Sequence, residues 1–218
     1  MARTVFLDVN ETLSDPSSLS PLFTSLGVRG ETPSTWLAAT LRDGFALSLS
    51  TGARSFAEVA RATLTTLLSA QEHRAGTVQD GVERIMSGFS SLPVHDDVVE
   101  GVRRLRSAGH RLVALSNGTA EYAEALLGRA GVVDAFDACT SVDALGVWKP
   151  DRRTYEHALS STDTAAADAT LVAAHPWDLH GARAVGFRTV HVDRRGTSWP
   201  AVFDAPDVRV RSLTDLEL

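Results

Sequence analysis

Four short apolar runs constrain the fold of this chain more than any other feature of its sequence. Each is rich in valine and leucine, and polar residues rarely alternate with them. Such runs are typical of strands that are buried on both faces, as in a parallel sheet. The runs are residues 4–8, 111–115, 170–174 and 188–192. Segments with apolar residues at helical spacing lie between them, at 96–108, 119–130, 151–160 and 178–185. This alternation predicts an α/β protein with a doubly wound parallel sheet and a Rossmann-like core.

Residues 14–93 interrupt this alternation. They carry helical patterns near 34–48, 55–70 and 78–89, and they contain no strong strand pattern. Pro93 suits the end of the insertion, because proline ends helices and restricts the residue before it. We therefore expect a helical cap domain over residues 14–93, inserted into an α/β core domain formed by residues 1–13 and 94–218.

Composition excludes several classes of partner. The net charge of −6 and the lack of a lysine- or arginine-rich run disfavour nucleic acid. No apolar run approaches the ~20 residues of a membrane span, and the start of the chain is too short and polar for a signal peptide. Cys139 is the single cysteine, so no intramolecular disulfide can form. We expect a cytoplasmic protein with no nucleic-acid or membrane partner.

Polar residues follow the predicted strands where an open parallel sheet binds its ligands, at the carboxyl ends. Asp8 closes the first strand, where burial is costly unless the carboxylate is paired. Ser116-Asn117-Gly118 follows the second strand and could bind an anion, and the other two loops contain Lys149 and His175. Each loop alone has an ordinary explanation as a turn or a helix cap. Their convergence on one edge of the sheet predicts an active site.

The four loops together resemble the haloacid dehalogenase superfamily. The matching motifs are Asp-x-x-x-Thr at 8–12, Ser-Asn-Gly at 116–118, Lys-Pro-Asp at 149–151 and Trp-Asp-x-x-Gly-Ala at 177–182. The position and length of residues 14–93 are similar to the helical cap of the L-2-haloacid dehalogenase branch. The resemblance implies that Asp8 attacks an (S)-2-haloacid and forms an aspartyl ester, which water then hydrolyses to an (R)-2-hydroxyacid. It further implies that Lys149 keeps Asp8 ionised, that Thr12 and Tyr155 position these two residues, and that Asp178 orients Lys149 or the water.

Two substitutions separate this chain from the phosphatases of the superfamily. The first motif of those enzymes resembles Asp-x-Asp-x-Thr, in which the second aspartate is a general acid and helps to hold Mg²⁺. Asn10 stands at that position, and Ala174 stands where the phosphatases place an acidic residue. A hard cation needs several oxygen ligands, so we expect no metal and no cofactor. A magnesium-dependent phosphatase remains the alternative within the superfamily.

Two further departures suggest how the ester would be hydrolysed. Dehalogenases of this branch usually have a glycine at the position that follows Asn10 here. Their fourth loop usually resembles Ser-Asn-x-Trp-Asp. Here Glu11 replaces the glycine and His175 the asparagine. We hypothesise that Glu11 orients His175 as the general base that deprotonates the water. The alternative is a loop histidine and a helix-start glutamate that never touch.

The substrate contacts are the least constrained part of the sequence. The usual halide-binding arginine of the cap would fall near Leu37, so Arg42, about one helical turn away, is the candidate for that role. An apolar wall of Leu41, Phe45, Phe56 and Trp177 would exclude water. The complete set of predicted substrate-binding residues is Val9, Asn10, Leu41, Arg42, Phe56, Ser116, Asn117, Tyr155 and Trp177. A non-catalytic relative that binds small carboxylates and a homodimer both remain open.

Overall fold

The sheet lies at the centre of the computed structural model, which describes residues 3–28, 33–70 and 72–218. All strand pairs of the sheet are parallel, in the order β3-β2-β1-β4-β5-β6. The strands of the described residues are β1 (Thr4–Asp8), β2 (Arg111–Ser116), β3 (Ala138–Ser141), β4 (Ala169–Ala173), β5 (Arg188–Val192) and β6 (Val208–Val210). The predicted Rossmann-like α/β fold is confirmed, and Asp8 ends β1 between β2 and β4.

Helices lie between β1 and β2 and between most of the later strands. The helices of the described residues are α1 (Ser20–Ser25), α2 (Pro33–Ser50), α3 (Phe56–Ser69), α4 (Val78–Ser90), α5 (Val98–Ser107), α6 (Ala120–Arg129), α7 (Arg152–Ser161) and α8 (Pro176–Arg183). Capping boxes at Ser55 and Thr77 begin α3 and α4, since each side chain accepts a hydrogen bond from the backbone of the first turn. Among the described residues, no helix has the length and apolarity that would let it cross a membrane.

The structure differs from the predicted element list mainly at the edges of the sheet. The four predicted strands are present within one residue of their limits, but β3 and β6 were not predicted. β3 reads Ala-Cys-Thr-Ser and β6 has three residues, and neither is fully buried. Edge strands pair on one side only, so they lack the continuous apolar run of a central strand. Likewise α8 begins at Pro176 rather than at residue 178, because proline is well suited to the first helical turn.

Two apolar clusters pack on opposite faces of the sheet. Val5 and Leu7 of β1 belong to one cluster together with residues of α5 and α6. Phe6 faces the other way and joins a cluster that extends to Trp36 of α2 and Phe89 of α4. One face of the sheet and helices α1 to α4 therefore share a single buried core.

Residues 13–15 and 93–95 lie side by side where the chain leaves and re-enters the sheet region. Asp15 N donates to Pro93 O at 2.9 Å, His95 N donates to Leu13 O at 2.9 Å, and Ser14 forms an antiparallel bridge with Val94. These contacts bring the two ends of the predicted cap together. The division into a cap at 14–93 and a core stays a prediction.

Gly44 of α2 allows Trp148 to pack directly against the helix backbone. A Cβ on Gly44 would lie 1.9 Å from the Trp148 ring, whereas a Cβ on Gly128 of α6 would meet no described atom within 4 Å. We expect Gly44→Ala to lower the free energy of unfolding by about 1–3 kcal/mol through overpacking. Gly128→Ala should raise it by up to about 1 kcal/mol through helix propensity. Urea denaturation of both variants measures the difference, and equal effects would contradict the packing argument.

Candidate active site

The ammonium group of Lys149 is the centre of the buried polar cluster at the carboxyl edge of the sheet. Its Nζ donates to Asp8 Oδ1 at 2.8 Å, to Asp178 Oδ2 at 2.8 Å and to the Leu115 carbonyl at 3.0 Å. The side chain is 1% exposed. Burial favours the neutral amine, but the charges of Asp178 and Asp8 outweigh it and raise the pKa of Lys149. All three ammonium donors are used, so Lys149 is a fixed positive charge.

Asp8 is held in one orientation from both of its carboxylate oxygens. Lys149 donates to Oδ1, while the Thr12 hydroxyl donates to Oδ2 at 2.6 Å. Thr12 is itself fixed, because its Oγ1 accepts a hydrogen bond from Ala174 N at 2.9 Å. Burial opposes ionisation of Asp8, but the charges of Lys149 and His175 prevail and lower its pKa well below the usual range. The result is an ionised, oriented carboxylate, which is what a nucleophile requires.

Asp178 supports Lys149 from the side opposite Asp8. The Tyr155 hydroxyl donates to Asp178 Oδ1 at 2.6 Å and also contacts the Asp178 carbonyl at 3.0 Å. Both side chains are fully buried. Burial and the nearby charge of Asp8 raise the pKa of Asp178, although Lys149 opposes them. The structure places Tyr155 behind Asp178, where it holds the carboxylate that pairs with Lys149, and its predicted contact with the substrate stays a prediction.

His175 bridges two carboxylates. Its Nε2 lies 3.0 Å from Glu11 Oε2, and its Nδ1 lies 3.3 Å from Asp8 Oδ2. Carboxylate oxygens only accept hydrogen bonds, so both ring nitrogens must carry protons for both contacts to be favourable. Burial disfavours this cation, but the hydrogen bonds that its ring donates to Asp8 and Glu11 prevail and raise the pKa of His175 to about 9. The resting histidine is therefore an imidazolium at neutral pH.

Glu11 reaches His175 from an unusual backbone conformation. Its φ of 61° lies in the left-handed region, which glycine adopts freely and other residues adopt at a cost of about 1–3 kcal/mol. Its backbone N–H donates to Ser14 Oγ at 3.2 Å, and its carboxylate forms an ion pair with Arg195. The conformation explains why glycine would suit this position, and the ion pair shows that the carboxylate is anchored on both sides.

Arg195 is a site residue that the sequence analysis missed. It follows β5, whose carboxyl end lies at the same edge of the sheet as the four loops that were considered. The same strand-end rule, applied to the fifth strand, would have included the Arg194-Arg195 pair. Arg194 also fixes the loop after β1, because its guanidinium donates to the Thr12 carbonyl at 2.8 Å.

Ser116, Asn117 and Val9 lie at the site but support its backbone. Asn117 Oδ1 accepts a hydrogen bond from Lys149 N at 2.8 Å, and Ser116 Oγ accepts one from Gly118 N at 2.9 Å. The Val9 side chain belongs to the cluster on the face of the sheet with α5 and α6. The structure therefore gives these three predicted binding residues a role in shaping the loops.

An aromatic wall lies beside His175. The Trp177 ring stacks on His175 with centroids 5.0 Å apart, and Phe45 of α2 meets Trp177 edge-on at 5.0 Å. Leu41 and Phe45 are half-buried and pack against the shared core, whereas Phe56 is buried within it. These side chains bring an apolar surface from α2 and α3 towards the charged cluster.

Arg42 lies away from the site, contrary to the expectation that it binds halide. Its side chain is 73% exposed and pairs with the neighbouring Asp43 at 2.7 Å. At this position of α2 the side chain faces solvent and not the buried side of the helix. Leu37, at the position where the sequence analysis placed the usual arginine, is buried in the apolar core. Neither residue delivers a cation to Asp8.

The buried, lysine-paired Asp8 lies at the switch point of the parallel sheet, where open α/β sheets bind their ligands. The haloacid dehalogenase-like hydrolase family model matches residues 2–186, and the chain belongs to this family. It is 34% identical to (S)-2-haloacid dehalogenase 4A of Burkholderia cepacia over 62% of this chain. That match spans 58% of the relative's length, less than two thirds.

Solved structures share the architecture over nearly the whole chain. A dehalogenase structure superimposes with a TM-score of 0.89 at 27% identity, covering 98% of this chain and 95% of that one. The L-2-haloacid dehalogenase of Xanthobacter autotrophicus superimposes with a TM-score of 0.84 at 25% identity, covering 99% and 96%. The helices between β1 and β2 are thus part of an arrangement that this chain has in common with dehalogenases.

The charge of His175 makes stability depend on pH in a defined window. Its folded pKa of about 9 lies above the ordinary value of 6.5, so its contribution is complete below pH 6.5 and is lost as the pH rises through 9. We expect the free energy of unfolding to fall over this range by an amount on the order of 1–3 kcal/mol. The His175→Gln variant should lack most of this slope when both proteins are unfolded in urea at a series of pH values.

Proposed function

We propose that this protein hydrolyses (S)-2-haloacids to (R)-2-hydroxyacids through an aspartyl ester on Asp8, without a metal ion. The observation that carries this proposal is the buried Asp8 carboxylate, ionised and oriented by Lys149 and Thr12. The family and the named relatives support carbon–halogen cleavage as the reaction class. The Lys149 ammonium lies between Asp8 and Asp178, where it neutralises the two carboxylates that a hard cation would need.

The first step is attack of an Asp8 oxygen on C2 of the substrate. A carbon–oxygen bond forms, the carbon–halogen bond breaks, and halide leaves with its electron pair, so that C2 is inverted. Halide needs no protonation as a leaving group, which agrees with Asn10 at a position where an acid would otherwise be expected. Lys149 and Thr12 hold the carboxylate in place, and its fixed orientation lowers the entropic part of the barrier.

The second step is attack of water on the Asp8 carbonyl carbon, with His175 as the base. Esterification removes the negative charge of Asp8, which is one of the two charges that keep His175 protonated. The pKa of His175 then falls, and its Asp8-facing Nδ1 can lose its proton to solvent. With Nε2–H still held by Glu11, Nδ1 becomes the basic nitrogen directly beside the ester. The base is thus formed only when it is needed.

This sequence of steps balances the protons. The imidazolium releases one proton after the ester forms, and the neutral ring takes one from the attacking water. The second proton of that water passes to the departing 2-hydroxyacid oxygen, which regenerates ionised Asp8 and protonated His175. One halide ion and one proton are produced in each turnover, and the proton is released before the hydroxyacid.

We expect halide release from (S)-2-chloropropionate and not from the R enantiomer, with D-lactate as product. The rate should be the same with a chelator as without it, because the proposal assigns the charge of a metal to Lys149. Asp8→Asn should abolish release, since the amide is a poor nucleophile. Halide titration and chiral chromatography measure both results. Release from neither enantiomer, or phosphatase activity that requires Mg²⁺, would overturn the assignment.

His175→Ala should form the ester but hydrolyse it slowly. General bases contribute about 10²–10⁴-fold, so we expect a burst of one halide per site followed by a turnover slowed by that factor. Mass spectrometry of the intact protein should show the added propionate group, and peptide mapping should place it on Asp8. Lys149→Met serves as the control, because it impairs the first step and should accumulate no ester. Near-wild-type turnover of His175→Ala would refute the role of the base.

A further inference from the structure

A cavity of about 440 Å³ opens between α3, α4 and the start of α6, next to the charged cluster but outside it. Its wall combines α3 and α4, which belong to the predicted cap, with residues of the predicted core. The principal lining residues are Asn10, Phe56, Met86, Phe89, Gly118 and Tyr122. None of the charged groups around Lys149 lines it, so the reaction described above leaves this space unused.

A column of stacked aromatic rings forms one side of the cavity. The Phe56 ring lies between Trp148 and Phe89, with centroids 5.5 and 5.7 Å away and interplanar angles of 23° and 16°. Phe89 in turn stacks on Tyr122 with centroids 5.3 Å apart and an angle of 1°. Three of these four rings line the cavity. They present a continuous apolar surface that leads away from Trp148.

The cavity lies at the edge of the sheet that carries the reacting groups, because residues of the loops after β1 and β2 line it. Asn10 is two residues beyond Asp8, and Trp148, at the end of the ring column, directly precedes Lys149. Gly118 follows Asn117, whose side chain holds the backbone of Lys149 at 2.8 Å. A substrate with C2 at Asp8 would lie against two loops that also line the cavity.

We propose that this cavity binds the side chain of the substrate, and that the protein prefers 2-haloacids with an unbranched alkyl or aryl-substituted chain over haloacetate and 2-halopropionate. The inference rests on the proposed function, because it concerns the substrate of the same nucleophile. Since one water molecule occupies about 30 Å³ in the liquid, a cavity of this size accommodates a chain of several carbons. Burial of each of these carbons against the apolar rings would be favourable.

The open end of the cavity is polar and offers a position for testing this proposal. Arg61 of α3 and Glu83 of α4 form an ion pair there, and both side chains are about half exposed. Ala57 of α3 and Ser87 of α4 are exposed residues that also line the cavity. A larger side chain at either position would fill the space without disturbing the buried core.

The experiment measures kcat/KM for halide release along the series (S)-2-bromopropionate, 2-bromobutanoate, 2-bromohexanoate and 2-bromooctanoate. We expect a rise of up to roughly fourfold per methylene until the cavity is filled. Ala57→Phe and Ser87→Phe should each lower kcat/KM for 2-bromohexanoate by at least about tenfold, the equivalent of two lost methylenes. Activity on 2-bromopropionate should remain near that of the wild type, since its methyl group does not reach the filled region.

Ala62→Phe is the matched control. Ala62 is exposed on the same helix but lines a groove on the other side, between α2 and α3, so this variant should keep the wild-type chain-length profile. A flat or falling profile in the wild type, with 2-bromopropionate still dehalogenated, would overturn the cavity assignment alone. Equal losses in Ala57→Phe and Ala62→Phe would also overturn it.

Calorimetric binding of 2-hydroxyhexanoate and lactate separates this inference from the proposed function. If no bromoacid releases halide but 2-hydroxyhexanoate binds more tightly than lactate, and Ala57→Phe but not Ala62→Phe removes the difference, the cavity assignment stands and the dehalogenase proposal fails. If halide is released or the hydroxyacids bind, but neither process depends on chain length, the cavity assignment fails.

Discussion

The buried ammonium of Lys149 is the interaction on which the rest of the site depends. Two carboxylates, Asp8 and Asp178, lie at hydrogen-bond distance from a side chain that is 1% exposed. Buried charges are costly unless they are paired and hydrogen-bonded, and removing one partner of such a group typically costs 3–5 kcal/mol. Tyr155, Thr12 and Asn117 complete the hydrogen bonding of this cluster or fix the loops around it. The same contacts that offset the cost of burying these charges also hold the Asp8 carboxylate in one orientation.

Sheet topology explains why these groups meet. Asp8, the Ser116 loop and the loop of His175 follow β1, β2 and β4, which are adjacent in the sheet. Parallel strands end at one edge, so three loops far apart in sequence converge there. Apolar runs and polar strand ends are local patterns, and they predicted the central strands and the convergence of these loops. The contact between Glu11 and His175 was likewise predictable from two substitutions in loops that share an edge.

The parts that sequence reasoning missed depend on tertiary geometry. Edge strands β3 and β6 carry no buried run, because one side of each has no neighbouring strand. The prediction for Arg42 depended on its distance along α2. The direction of a helical side chain is set by which face of the helix packs against the core, and the Arg42 side chain faces solvent beside Asp43. Arg195 was overlooked although it follows a predicted strand. Its partner, the Glu11 carboxylate, could be identified only once the loop after β5 was placed.

Glu11 combines a local cost in backbone stability with a contact that keeps His175 charged. A positive φ favours glycine, and a glutamate there gives up about 1–3 kcal/mol of backbone stability. In return the side chain is brought to His175 Nε2, so that the ring lies between two carboxylates and is charged at rest. With only Asp8 as a partner, the imidazole could turn either nitrogen towards the ester. With Glu11 held by Arg195, Nδ1 is the nitrogen that faces Asp8, and in the proposed mechanism the loss of one negative charge on Asp8 would change that nitrogen from a donor into a base.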